Sequence, residues 1–435
     1  MHSFGIDMRL HRTPPFACIS AAAALFCATP AGTAAQSLAG SATLSRALAS
    51  GDLQAVRAAV AEARASLGDK AGVPEAADAY QPVPSGQAPF SADEARRGFA
   101  PYFGAVEKSR WWTVGADPAR LTAPLRVPAS VIAGCLAGMR AGLPGAEGSL
   151  GRAQAAADFL MWAQAQAGSG GFPFPAARGA AKARAMDAAS RFLAKAEKAG
   201  KLGQVVRNGW LFDDLGDGGL QFDNGECGVA MFELYEVTKD PRHLASARRA
   251  ADWALAQPLF PNWNYNSFSV DLLAKAYAVT DNAKYLEAAM RKARLGVIPG
   301  QLTDGPRAGR WVDPHNARPA YHYIMMRALA RLAGVLPQGR PDRGEVVRAL
   351  RLGLRTRNEE ILTRGVMTRD KAFEALLLVN RVFAGDAAFL RETRSGEALN
   401  AVEVLVSEEA RKGKRSLSPG EWGLFLEERV RQPEE

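Results

Sequence analysis

The chain has 435 residues, 48% of them hydrophobic and 23% charged, with a formal net charge of +9. That balance belongs to a folded soluble chain and excludes a disordered or fibrous one, and the length admits one large core or two ordinary domains. Alanine and glycine are abundant and alternating Val/Ile/Thr runs nearly absent, which favours helix over sheet.

Residues 1–35 read as a secretory signal peptide. Arg9 and Arg12 precede the apolar "PFACISAAAALFCATPAG", and the small residues "GTAAQ" follow, with cleavage expected at about Gln36. The stretch is too short and alanine-rich for a membrane anchor, and Phe26 before Cys27 argues against a lipoprotein. A periplasmic or secreted protein follows, with no stable membrane insertion after cleavage. In that compartment Cys135 and Cys227 are either two tightly packed thiols or a disulfide; neither belongs to a metal-ligand pattern.

Residues 36–125 are expected to be a helical and loop region packed on a main domain spanning 126–390. Within that domain Tyr235, Val237, Thr238, Asp240 and Leu244 recur 42 positions later as Tyr277, Val279, Thr280, Asn282 and Leu286. Each copy reads as helix, Asp/Asn turn, helix, with Leu244, Ala247, Ala251 and Ala254 forming an apolar stripe. "AADFLMWAQ" from Ala156 echoes "AADWALAQ" from Ala250. Such pairs stack into an open solenoid or a closed toroid. The loops after the second helix of each pair are long and aromatic, so in a ring they crowd onto one face, as a binding cleft requires. Residues 391–435 read as a charged C-terminal helical extension.

With these features the chain, from about Arg126 to Leu390, resembles the six-hairpin (α/α)-toroid superfamily of carbohydrate-active enzymes. "GGFPFP" (Gly170–Pro175) and "LQFDNGECGVAMFELYEVT" (Leu220–Thr238) are similar to the "GGWP" and "FND" segments of a toroid-type pectate lyase family. Phe172 replaces the Trp, and Asp223 and Asn224 stand in reversed order. The resemblance implies an all-α (α/α)-toroid fold and cleavage of an acidic polysaccharide by β-elimination. A glycoside hydrolase, or a non-catalytic glycan-binding or exopolysaccharide-assembly protein, remains the alternative.

The densest candidate stretch, "WLFDDLGDGGLQFDNGEC" (Trp210–Cys227), allows several readings. As a helix-loop-helix calcium loop counted from Asp213 it fails at Leu215 and Asn224, although a looser calcium site stays open, since lyases acting on polyuronates often use that ion. Asp214, Asp217 and Glu226 are candidate catalytic carboxyls. Asp223 could equally cap the following helix.

A second stretch, "GRWVDPHNARPAYHY", offers His315, Arg318, Tyr321 and His322 as acid–base groups, the types that elimination needs. Substrate contacts are expected from Trp210, Asp223, Asn224, Trp263, Tyr265, Arg310 and Trp311, because sugar rings stack on aromatic faces. The positive charge fits an acidic polysaccharide. Nucleic acid is excluded for want of a recognition motif: Arg348, Arg351 and Arg355 have the spacing of a solvated helix face.

Overall fold

The computed structural model describes residues 41–76, 79–121, 123–176 and 184–431, so the expected signal peptide lies outside the described residues. Helices α1 (Ala42–Ser50), α2 (Leu53–Leu67) and α3 (Ala92–Lys108) come first. Then come α4 (Arg126–Arg140), α5 (Ser149–Ala167), α6 (Arg184–Lys198) and the one-turn α7 (Leu202–Val205). Three two-residue strands, β1 (Phe174–Pro175), β2 (Val206–Arg207) and β3 (Trp210–Leu211), make a small antiparallel sheet with β3 central. The repeating hairpins are α8 (Leu220–Thr238) with α9 (Pro241–Ala256), α10 (Trp263–Thr280) with α11 (Ala283–Gly296), and α12 (Pro319–Val335) with α13 (Arg343–Arg364). The chain ends with α14 (Arg369–Val382), α15 (Ala387–Thr393), α16 (Ser395–Arg411) and α17 (Pro419–Arg431).

Among the described residues, α4, α8, α10, α12, α14 and α17 pack side by side in a closed inner ring. Outside it α5, α9, α11, α13, α16 and α3 each back one inner helix. The expected (α/α)-toroid is therefore present, and it is complete. Burial explains the division of labour. An inner helix is covered by two neighbours and one outer helix, so α10 and α12 are buried almost all round and have little amphipathic pattern. The outer α9 buries one stripe, His243, Ser246, Ala247, Ala250, Ala251 and Ala254, most of it small residues.

The 42-residue repeat holds the turn chemistry that reverses each hairpin. Lys239 and Asp281 adopt left-handed backbone at the ends of α8 and α10. Asp240 and Asn282 then cap the next helices by accepting from Arg242 N at 2.8 Å and Lys284 N at 3.2 Å. The two alanine-rich echoes fall on α5 and α9, both outer helices.

The ring closes across the chain ends. Segment 391–435, read from sequence as an extension, supplies α16 and the sixth inner helix α17, while α3 from the N-terminal region backs α17. At the seam Gly423 of α17 lies on Gly134 of α4, and a Cβ on Gly134 would run into the Pro419 carbonyl. Tyr102 of α3 stacks on Trp422 with centroids 5.7 Å apart. The ring needs both ends because a missing inner helix would leave the apolar sides of its two neighbours in water.

Candidate active site

The lumen holds a cavity of about 470 Å³ lined chiefly by the inner helices. The N-terminal parts of these helices meet at one end, where Arg126 contacts Asp223 and Lys371 contacts Glu421; Arg140 and Glu427 meet at the other. Parallel inner helices follow, with their long preceding loops on the first face. Among the described residues nine basic and seven acidic side chains line the space, so neither sign dominates it.

Arg327 organises the middle. From α12 it donates to Glu226 Oε1 of α8 at 2.8 Å, lies 3.4 Å from Asp271 Oδ2 of α10, and donates to Glu374 of α14. One guanidinium thus joins four inner helices, a geometry that suits a planar fork with several donors. Arg331, one turn on, adds a 2.5 Å bond to Asp271. Lys371 extends the network, with Nζ 3.3 Å from Glu374 and 3.2 Å from Glu421.

The carboxyls of this network titrate apart. Burial pushes Glu421 up to about 7 over the pull of Lys371. Burial would also raise Glu374, yet Arg327 and Lys371 hold it down at about 2. Glu421 Oε2 is buried with no protein hydrogen-bond partner, as suits a carboxyl that keeps its proton. Glu226 bonds Arg327 through Oε1 only and is half-buried on the wall.

Of the catalytic candidates taken from sequence, Glu226 alone lines this cavity. His322 is buried in the core, its ring edge-on to Trp311 and its Nε2 3.1 Å from the Gly353 carbonyl oxygen, and burial holds its pKa well below the usual value. A catalytic role is therefore corrected to a packing role. His315, Arg318 and Tyr321 do stand together, with the His315 and Tyr321 rings 4.7 Å apart and Arg318 over Tyr321. They face the segment before α3, where Glu75 Oε1 lies 2.9 Å from His315 Nδ1. Arg310 ties the same segment down through the Gly72 carbonyl and Glu360.

The aromatic candidates are corrected in the same way. Trp210, Trp263 and Trp311 are fully buried and offer no face to a sugar. Trp210 packs on Trp162 and Phe159, Trp263 covers Gly300, and Trp311 donates to the Val297 carbonyl at 3.0 Å. These aromatics pin the loops onto the main hydrophobic core, of which all three tryptophans are part. Tyr265 is half-buried beside the Asp217–Gly219 turn.

The 210–227 stretch divides into three parts. Asp214 accepts from Gly216 N at 3.0 Å and Leu220 N at 3.2 Å, and Asp217 from Gly219 N at 3.0 Å, so these two acids build the turn into α8. Burial, with Asp217 nearby, raises Asp214 to about 6. Asp223 is not the cap expected of it: it sits inside α8 and accepts from Arg126 Nη1 at 3.0 Å, joining α8 to α4. Asn224 is a buried pin that accepts from Phe172 N at 3.0 Å and donates to the Ala250 carbonyl at 3.1 Å, holding "GGFPFP" against α8 and α9. Both Asp214 oxygens are engaged by backbone N–H groups, and among the described residues no three His, Cys, Asp or Glu side chains are grouped as metal ligands. Cys135 and Cys227 are buried and unbonded.

Sequence reasoning missed Arg327, Lys371, Glu374 and Glu421. One signal was present: isolated charges inside otherwise apolar helices, as in "YIMMRALARLAG" and "KAFEALLLV". A charge in a helix buried all round must be paired, so it points into a shared lumen.

Ring and lumen together define an (α/α)-toroid with a charged central cavity. No family model matches the sequence, and no curated protein matches it. Among solved structures the chain is similar to a polysaccharide lyase, at 13% identity over 78% of this chain and 96% of that one, with a TM-score of 0.47. It is also similar to a glycosyl hydrolase family 88 protein from Bacteroides vulgatus, at 13% identity over 78% of this chain and 98% of that one, with a TM-score of 0.49. No helix among the described residues is long and apolar enough to cross a membrane.

Proposed function

We propose that this chain is an exported carbohydrate-active enzyme that hydrolyses a glycosidic bond of an acidic saccharide held in the central cavity. The observation that carries the reading is the separation of roles between Glu421 and Glu226. Glycoside hydrolysis needs one carboxyl kept protonated to donate to the leaving oxygen and another kept ionised to activate water or attack the sugar. Burial keeps the proton on Glu421 near neutral pH, with Oε2 free of protein partners. Glu226 is bonded by Arg327 through one oxygen, which leaves Oε2 for water or the anomeric carbon. Glu374 holds Arg327 and Lys371 in place and adds negative charge where positive charge develops on the ring.

Hydrolysis is preferred to elimination because none of His315, Arg318, Tyr321 and His322, the groups offered for elimination, lines the cavity, whereas two carboxyls in separate roles do. Export rests on the sequence of residues 1–35. The test is a screen of uronate-containing, sulfated and neutral oligosaccharides, with and without calcium, reading reducing ends and absorbance of unsaturated product together. Reducing ends without ultraviolet absorbance, abolished in Glu421→Gln, support the proposal. Unsaturated product would replace it with elimination, and binding without turnover would make the toroid a glycan-binding protein.

A further inference from the structure

Eight of the nine cations lining the cavity are held by carboxylates: Arg126, Arg140, Lys275, Arg327, Arg331, Lys371, Arg381 and Arg431. The ninth, Arg415, has no acidic partner among the described residues. It sits in the loop leading into α17, six positions before Glu421, on the rim to which Tyr102, Ser130 and Ser418 also contribute. Its neighbours Lys412 and Lys414 are engaged by Glu408 and Glu409.

The position of Arg415 is built. Its guanidinium lies 5.1 Å from the centroid of the Tyr102 ring. Tyr102 is itself fixed, stacked on Trp422 and donating its hydroxyl to the Leu417 carbonyl at 3.1 Å. A guanidinium laid over a ring keeps its in-plane N–H donors free, and those donors match the two oxygens of a carboxylate or sulfate. Beside it the Ser130 and Ser418 hydroxyls meet at 2.6 Å on the same rim. In a lumen where every other cation is neutralised, this is the charge left for a ligand.

We propose that Arg415 anchors an anionic substituent, carboxylate or sulfate, on the sugar entering the cavity, and so selects charged over neutral glycans. The inference rests on the cavity being the saccharide site, and it names the residue that sets substrate class. Because Arg415 is exposed, its replacement should leave the fold intact.

The experiment is calorimetric titration of the full chain with three disaccharides of equal size: neutral, uronate-containing and sulfated. The parent protein is expected to bind one or both anionic sugars more tightly than the neutral one. Arg415→Gln should weaken the anionic sugar by about 30-fold, the loss of a charge-assisted pair, and leave the neutral one unchanged. Arg415→Lys should recover part of the loss, since it keeps the charge without the fork. The two anionic arms tell carboxylate from sulfate. Equal binding of charged and neutral sugars, or an anion preference that survives in Arg415→Gln, overturns the inference while leaving the cavity reading in place. If the parent protein binds none of the three, both fall together.

Discussion

Arg327 and Glu226 meet across the lumen at 2.8 Å although α12 and α8 are not neighbours in the ring, with α10 standing between them. Asp271 on that intervening helix and Glu374 on α14 complete the set of acids around one guanidinium. Desolvating so many charges together is tolerable only when every one is paired. The network therefore acts as structure and as site at once.

Removing the shared cation should be the most damaging single change in the lumen. Arg327→Met leaves Glu226, Asp271 and Glu374 facing one another, and a cost of about 3–5 kcal/mol is expected for unpairing a buried group of this kind. Urea denaturation followed by circular dichroism measures it. A cost below about 1 kcal/mol would mean that water or rearrangement replaces the network.

Glu421→Gln and Glu226→Gln should each lower kcat by about 100- to 10,000-fold while the protein stays folded. With the Glu421 carboxyl held up to about 7, activity of the parent should fall as pH rises through that value. A pH profile of kcat/KM still rising above pH 8 would remove Glu421 from the role of acid.

Asn224 should prove structural rather than substrate-binding. Asn224→Ala strands the Phe172 N–H in the interior and removes the tie to the Ala250 carbonyl, at an expected cost of about 1–3 kcal/mol. Thermal melting tests this: a Tm within a degree of the parent's would contradict the role of pin.

Closure of the ring can be tested at its seam. Gly134→Ala pushes a methyl group into the Pro419 carbonyl where α4 meets α17, and overpacking of about 1–3 kcal/mol is expected. Gly104→Ala, with nothing within 4 Å of the added carbon, is the control and should be neutral or slightly stabilising. Equal stability of the two variants would show that the seam is looser than its geometry.

Glu403 of α16 should give a pH-dependent stability term distant from the proposed chemistry. Burial raises it from 4.5 to about 7 against the pull of Arg429, whose Nη1 is 3.2 Å away. A carboxyl raised in the folded state holds its proton more tightly there than when unfolded. Its contribution is therefore fully present below about pH 4.5 and is lost as pH rises to about 7, amounting to something of the order of 3 kcal/mol. Unfolding free energies from pH 4 to 8 should fall less steeply in Glu403→Gln than in the parent.

The sequence by itself determined the hairpin. The 42-residue recurrence of Tyr, Val-Thr, Asp/Asn and Leu is local chemistry, since Lys239 and Asp281 end one helix and Asp240 and Asn282 start the next within four residues. Helical spacing likewise exposed the alanine stripe of α9, and the long loops after each outer helix revealed which face they share. Only the tertiary structure decided which charged groups make a site. Glu226 and Arg327 lie 101 positions apart and Lys371 and Glu421 50 apart, and they meet because ring closure turns six helix faces toward one axis. The acidic groups of 210–227 are close in sequence, yet that closeness serves the turn into α8 and the ties of α8 to its neighbours. A buried charge must find its partner wherever the fold brings one, and that pairing is settled by packing between helices rather than along them.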